Sequence, residues 1–279
     1  GGVWTAGISR AVSAFAHQRV VTESGLHGAA TARSGALATV ENILAPAAGQ
    51  TMGDRATALF GAFSALASNP SDATVRSTVL ARAGELAQSI SGAAAGLAGT
   101  RAELFSTARS VAGEVNERLG KIAKLNEQIA IAQGEGDVAP DLRDQRGQLL
   151  REVGERIDVK AIEDASGKLT LLSSGSVLVD GAGASSVDVG ITPSGDLGIA
   201  LHRPGGSVID ITGAVTSGTL GGLREARDSD IPALASKLDQ TAFDLATAIN
   251  TVLLAGAGLD GGTGRPFFKQ PAAVAGAAY

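Results

Sequence analysis

Between residues 104 and 129 the apolar positions keep strict helical spacing. Leu104, Ala108, Val111, Val115, Leu119, Ile122, Leu125 and Ile129 follow one another at steps of three or four, which places them on one face of an α-helix. Val75, Val79, Leu86 and Ile90 carry the period back upstream. The pattern predicts a helix of about 60 residues, roughly 90 Å at 1.5 Å per residue. Such a length suits a coiled coil or an elongated bundle better than an enzyme core. The glycines at 84, 92, 96, 99, 113 and 120 leave room for bends or close crossings.

Upstream, Phe15, Leu26, Leu37, Val40 and Leu44 predict a helix from Ala6 to about Ala45, weakened by Gly25, Gly28 and Gly35 and stopped by Pro46. A shorter helix over Met52 to Ser68 carries Leu59, Phe60, Phe63 and Leu66. Asn69-Pro70-Ser71-Asp72 then supplies a stop and a new N-cap. After Gly134-Glu135-Gly136, Leu142, Leu149, Leu150, Val153 and Ile157 mark a further helix, antiparallel to its predecessor if the turn is tight.

At Asp158 the period changes to two. Val159 to Glu163 and Leu169 to Leu172 flank Asp164-Ala165-Ser166-Gly167, a hairpin signal. Val177 to Val179, Val187 to Ile191, Leu197 to Leu201 and Val208 to Ile211 read as further short strands, with turns at Pro193 to Asp196 and Arg203 to Gly206. Helical spacing returns at Leu220 and Leu223 and runs through Ile231, Leu234, Leu238, Ala242, Leu245, Ile249 and Val252, with Pro232 in a first turn.

The expected fold is α+β, an elongated bundle of long α-helices with a small antiparallel β domain inserted between its two halves. Its parts are the helical residues 1–157, the β residues 158–217, a returning helix over 218–256, and a loop with an incomplete β return over 257–279.

Composition narrows the function. With 44% hydrophobic but only 3% aromatic residues, the core must be packed by aliphatic and small side chains. Twenty-three basic against 28 acidic residues give a net charge of −5, and without a Lys/Arg cluster there is no electrostatic footprint for nucleic acid. No cysteine is present, which removes thiol chemistry and disulfides. No apolar run reaches the ~20 residues of a membrane helix, and no signal peptide is visible, so export would use another route. Gly1-Gly2 reads as the start of a fragment.

Candidate chemistry is sparse. His17, His27 and His202 are dispersed and lack metal-ligand spacing. No Gly-x-Ser-x-Gly elbow or Gly-x-x-x-x-Gly-Lys phosphate loop occurs. Gly256-Ala257-Gly258-Leu259-Asp260-Gly261 matches Gly-x-Gly-x-x-Gly, but a helical pattern precedes it, where a dinucleotide site needs a strand. Asp260 alone falls short of a calcium loop. The densest cluster is Asp141, Arg143, Asp144 and Arg146, in the first turns of the helix after Gly136. Acidic groups there favour the positive helix end. Exposed ion pairs contribute about 0 to 1 kcal/mol against about 1.5 to 3 for a buried Leu. This reads as a structural corner rather than an acid/base site, and no catalytic, cofactor or metal residues are expected.

Those residues also carry a resemblance. Lys124-Leu125-Asn126-Glu127-Gln128-Ile129, Asp141-Leu142-Arg143-Asp144-Gln145-Arg146, Leu149-Leu150, Ile157-Asp158-Val159 and Gly175 to Gly181 resemble the flagellar hook-associated protein 1 family (FlgK). So do Gly218 to Leu223, Arg227-Asp228, Ile231-Pro232, Leu238-Asp239, Asn250, Gly258 to Gly261 and Phe267-Phe268, with Asn69-Pro70 and Arg76 upstream.

The resemblance implies a non-enzymatic axial protein of the bacterial flagellum that joins hook to filament. It implies a helical domain beside the axis and a β domain outside, with Asp141, Arg143, Asp144 and Arg146 as a structural signature. It further implies export through the flagellar type III apparatus without a cleavable signal, an export chaperone, a homo-oligomeric ring in full-length form, and the hook protein and hook-associated protein 3 as neighbours. No nucleic-acid partner, membrane insertion or cofactor is implied. The terminal heptad segments of the family and its final β return are not found between residues 1 and 279. Flagellin or a hook-associated protein 3-like axial protein is the alternative within the class. A stalk-borne binding or enzymatic domain is the alternative outside it.

Overall fold

The computed structural model describes residues 14–47, 49–164, 167–269 and 271–278, with side chains from residue 18. Its elements are α1 (Ala14–Leu44), α2 (Met52–Ser68), α3 (Ala73–Gly134) and α4 (Pro140–Arg156), then strands β1 (Lys160–Glu163), β2 (Leu169–Ser173), β3 (Ser176–Asp180), β4 (Gly183–Ala184), β5 (Ser186–Ile191), β6 (Leu197–His202) and β7 (Val208–Asp210), and finally α5 (Gly218–Glu225) and α6 (Ile231–Leu254). This is the α+β plan of long helices and a small antiparallel β portion. The beginning of the first expected helix, residues 6–13, and the Ala165-Ser166 tip of the first hairpin lie outside the described residues.

The chain divides into two compact units. One consists of the chain up to Ser34 with Phe105–Glu225, the other of Gly35–Leu104 with the chain from Ala226. In the first, the predicted stripe of α3 is buried from Ala108 through Val111, Val115, Leu119 and Ile122 to Ile129. The pairings Glu114–Arg156, Arg118–Glu152 and Asn126–Arg146 step in opposite directions along α3 and α4, so the two helices are antiparallel.

The strands form two sheets, where the sequence suggested one module: β1-β2-β3-β4 and β5-β6-β7, all neighbours antiparallel. Burial alternates as the period of two demands, with Leu169, Leu171 and Ser173 inward on β2 and Leu197, Ile199 and Leu201 inward on β6. Ser174-Gly175, at φ 49° and 83°, turns β2 into β3 with the left-handed residues that a two-residue hairpin requires.

In the second unit a reciprocal capping box opens α2: Thr51 Oγ1 accepts from Asp54 N, and Asp54 Oδ2 accepts from Thr51 N. Asp72 Oδ1 accepts from Thr74 N at 2.7 Å and so starts α3. Val79, Leu86, Ile90 and Leu97 of α3 and Ile231, Leu238, Ala242, Ala246 and Ile249 of α6 are buried there. Of the seven α3 glycines, only Gly96 serves a close crossing among the described residues; a methyl on it would meet Ile43 Cγ2 at 2.9 Å. A π-helical turn, Ala226–Asp230, precedes α6. Pro232 has no N–H for the Asp228 carbonyl, which removes an α-helical bond at that place.

Some positions depart from the expected phase. Leu26 is 54% and Val252 71% exposed. Leu142 and Leu149 are only half-buried, and the stripe of α4 instead runs Arg146, Leu150, Val153 and Ile157. Residues 257–278 form no strand among those described; Ala257 and Thr263 make a single bridge.

Candidate functional site

The α3–α4 corner is made by main-chain geometry. Ala139 takes a left-handed conformation, φ 44° and ψ 58°, its N–H held by Asp137 Oδ1 at 2.9 Å, and Pro140 then opens α4. From this start the four sequence-predicted residues diverge. Asp141 and Asp144 are exposed, Arg143 is half-buried and Arg146 is 4% exposed.

Arg146 Nη1 donates to Asn126 Oδ1 at 2.8 Å and to the Gly167 carbonyl at 2.9 Å, and Nη2 lies 2.9 Å from Glu163 Oε1. Arg143 donates to the same carboxylate and, through Nε, to the Val138 carbonyl. Burial pulls the Arg146 guanidinium below its ordinary pKa, opposed by the Glu163 charge. Arg146 is therefore not one of the exposed ion pairs expected of this corner. Asn126, 3% exposed and absent from the predicted set as a polar site, completes the network: its Nδ2 donates to the Leu169 and Gly181 carbonyls, both at 2.9 Å.

Other carboxamides act in the same way on the main chain. Asn116 exchanges two hydrogen bonds with Val187 on β5, N–H to Oδ1 at 2.7 Å and Nδ2 to the carbonyl at 2.8 Å, as an antiparallel neighbour would. Gln18 of α1 donates to the Val159 carbonyl and accepts from Ala161 N, both at 3.1 Å. In the second unit Asn250 Oδ1 accepts from Phe267 N and Phe268 N, which holds the Phe267 ring against Phe63 at 5.5 Å.

Beside the corner, Arg118 Nε donates to Glu152 and Arg156 Nε to Glu114, both at 2.8 Å, a charge ladder across the two helices. The Arg118 hydrogen bond, before all else, holds the Glu152 carboxyl below its ordinary value, with Gln148 and Arg156 assisting.

Glycines do the rest of the joining. A methyl at Gly28 would lie 2.1 Å from the Glu155 carbonyl oxygen, and one at Gly222 2.2 Å from that of Ala29. Gly218, at φ 71°, would place one 2.5 Å from Ile157 N.

These groups bind main chain and one another. An open groove of about 410 Å³ between α3 and α4 is lined by Lys121, Lys124, Gln128, Gln145, Leu149 and Glu152 among others, and no His, Ser or Thr lines it to pair as base and nucleophile. The His17 side chain lies outside the described residues, while His27 and His202 are exposed in separate elements. Among the described residues no cluster of His, Asp and Glu is arranged to hold a metal ion. Gly256–Gly262 is a hydrogen-bonded turn after a helix, with Gly258 N donating to the Gly262 carbonyl at 2.7 Å and Arg265 to Asp260 at 2.8 Å.

Residues 37–268 match the model of the flagellar hook-associated protein FlgK helical domain family. The flagellar hook-associated protein 1 of Salmonella typhimurium strain LT2 is 25% identical over 274 residues, 96% of this chain and 49% of the relative. That of Escherichia coli K12 is 24% identical over 273 residues, 96% of this chain and 50% of the relative. The chain thus spans about half the length of the curated relatives it matches. Among solved structures, the flagellar hook junction protein FlgK from Burkholderia pseudomallei superposes with a TM-score of 0.77 at 22% identity, covering 90% of this chain and 45% of that one, which establishes the shared fold.

Proposed function

Because the chain belongs to the FlgK helical-domain family of flagellar hook-associated proteins, we propose that it is part of a structural subunit at the junction between hook and filament of a bacterial flagellum. The observation that carries this reading is the family match over 37–268, joined to a fold that superposes on a hook junction protein. The chemistry of the corner supports a scaffold without catalysis. The named bonds of Asn116, Asn126 and Arg146 end on structural acceptors and donors, so these polar groups set the positions of helices and strands. Asp141, Arg143, Asp144 and Arg146 act here as a structural signature.

The full-length protein then forms a homo-oligomeric ring beyond the cell, between the hook protein and hook-associated protein 3, after chaperone-assisted export without a cleavable signal. Deletion of its gene tests this reading. The expected cells bear hooks without attached filaments, recover swimming when the whole gene is restored, and show antibody label at the hook tip only. Label spread along the filament would indicate a flagellin instead, and unchanged swimming would overturn the assignment.

A further inference from the structure

β1 is an edge strand, and among the described residues the Gln18 carboxamide lies on its free side. Its partner β2 pairs Ile162 with Thr170 and Lys160 with Leu172, and the hairpin continues with Asp164 N donating to the Lys168 carbonyl. By the alternation of an antiparallel ladder, Ala161 and Glu163 turn their main-chain N–H and C=O away from β2. The Gln18 carboxamide sits on that outer side: Nε2 on the Val159 carbonyl and Oε1 on Ala161 N–H, as a residue of a parallel neighbour would.

We propose that Gln18 is a strap that closes this edge against a second copy of the chain. Once released, β1 is self-complementary. Antiparallel pairing about a two-fold axis at Ile162 sets Ala161 opposite Glu163 of the second copy, with both outward-facing, and forms four main-chain hydrogen bonds. The same register brings together the two Ile162 side chains, 50% exposed in the single chain, and sets Lys160 opposite Asp164. Ala161 N–H cannot serve Gln18 and the second copy at once, so the turn of α1 that carries Gln18 must move aside before pairing. Unprotected edges of this kind template association, and an edge covered by a helix or loop is blunted. The inference concerns this edge alone and does not depend on the proposed place in the flagellum.

Sedimentation of the folded 279-residue chain, its Gln18→Ala variant and the double variant Gln18→Ala/Ile162→Lys tests the strap. Gln18→Ala should raise the self-association constant roughly tenfold, as expected when one or two hydrogen bonds cease to compete, and Ile162→Lys should return it to the parent value. An unchanged constant in Gln18→Ala, or a rise that Ile162→Lys leaves in place, overturns the proposal. Amide exchange of the parent gives a readout that needs no variant. Ala161 should exchange at least tenfold more slowly than Glu163, and equal rates would show that Gln18 does not hold the edge.

Discussion

A buried guanidinium is costly unless every neighbour answers it, and Arg146 is answered by Asn126, Glu163 and the Gly167 carbonyl. Truncating it leaves the buried Asn126 Oδ1 and Gly167 carbonyl without this donor, while the part-exposed Glu163 keeps Arg143. We expect Arg146→Ala to cost about 3 to 5 kcal/mol, comparable to about 2 to 5 for Leu125→Ala, while exposed Asp144→Ala stays below about 1. Urea melts of the three variants rank them; a loss from Asp144 equal to that from Arg146 would contradict the division of the cluster. Half of this was legible in the sequence. Arg146 stands at steps of four, three and four with Leu150, Val153 and Ile157, and Asn126 interrupts the stripe between Leu125 and Ile129. Their apolar spacing betrayed burial, but they bind each other across 20 residues and main-chain carbonyls of the β portion 21 to 55 residues away, which no local pattern displays.

Glu152 gives the same corner a pH dependence. Its folded pKa lies below the ordinary 4.5, chiefly because Arg118 donates to it. A lowered carboxylate pKa stabilises the fold above the unfolded value, and that contribution fades as pH falls from about 4.5 through the folded value. Glu152→Gln should lower the melting midpoint at neutral pH by a modest amount, since the pair is part-exposed and contributes at most about 1 kcal/mol. The gap to the parent should close on acidification below pH 4.5. A gap that persists undiminished into strong acid would mean that packing of the side chain, not its charge, was lost.

At the scale of elements, helices and strands followed their periods closely, and α2 has the expected bounds of Met52 and Ser68. The period could not distinguish a glycine that weakens a helix from one that lets two backbones meet. Gly28 and Gly35 look alike along α1, yet a methyl would strike the Glu155 carbonyl from the first and meet nothing within 4 Å from the second. Gly35→Ala should therefore stabilise by roughly 0.5 to 1 kcal/mol through helix propensity alone. Gly28→Ala should destabilise by about 1 to 3 kcal/mol, the usual penalty of overpacking. Thermal melts that move both variants in the same direction would show that the α1–α4 crossing is looser than its geometry. The phase error at Leu26 has the same origin: an Ala- and Gly-rich face can bury small residues and leave a leucine outside.

At the scale of the molecule, the long stripe raises the question of what covers it. A heptad-like run of this length invites a second chain, yet from Val79 to Ile129 its apolar side is buried within the single chain, and α4 and α6 bury stripes of their own. The partition of α1 and α3 between two compact units was invisible to a pattern read along the chain, because it arises from which segments return to pack on them. With the stripes satisfied, a net charge of −5 opposes rather than promotes association. We therefore expect the 279-residue chain to scatter light as a 27.7 kDa particle over a wide dilute concentration range. A stable multiple of that mass would place an assembly surface within these residues, on apolar side chains that stand exposed outside the stripes, such as Phe60, Leu80 or Val252. Charged substitutions at those three would then restore the single-chain mass.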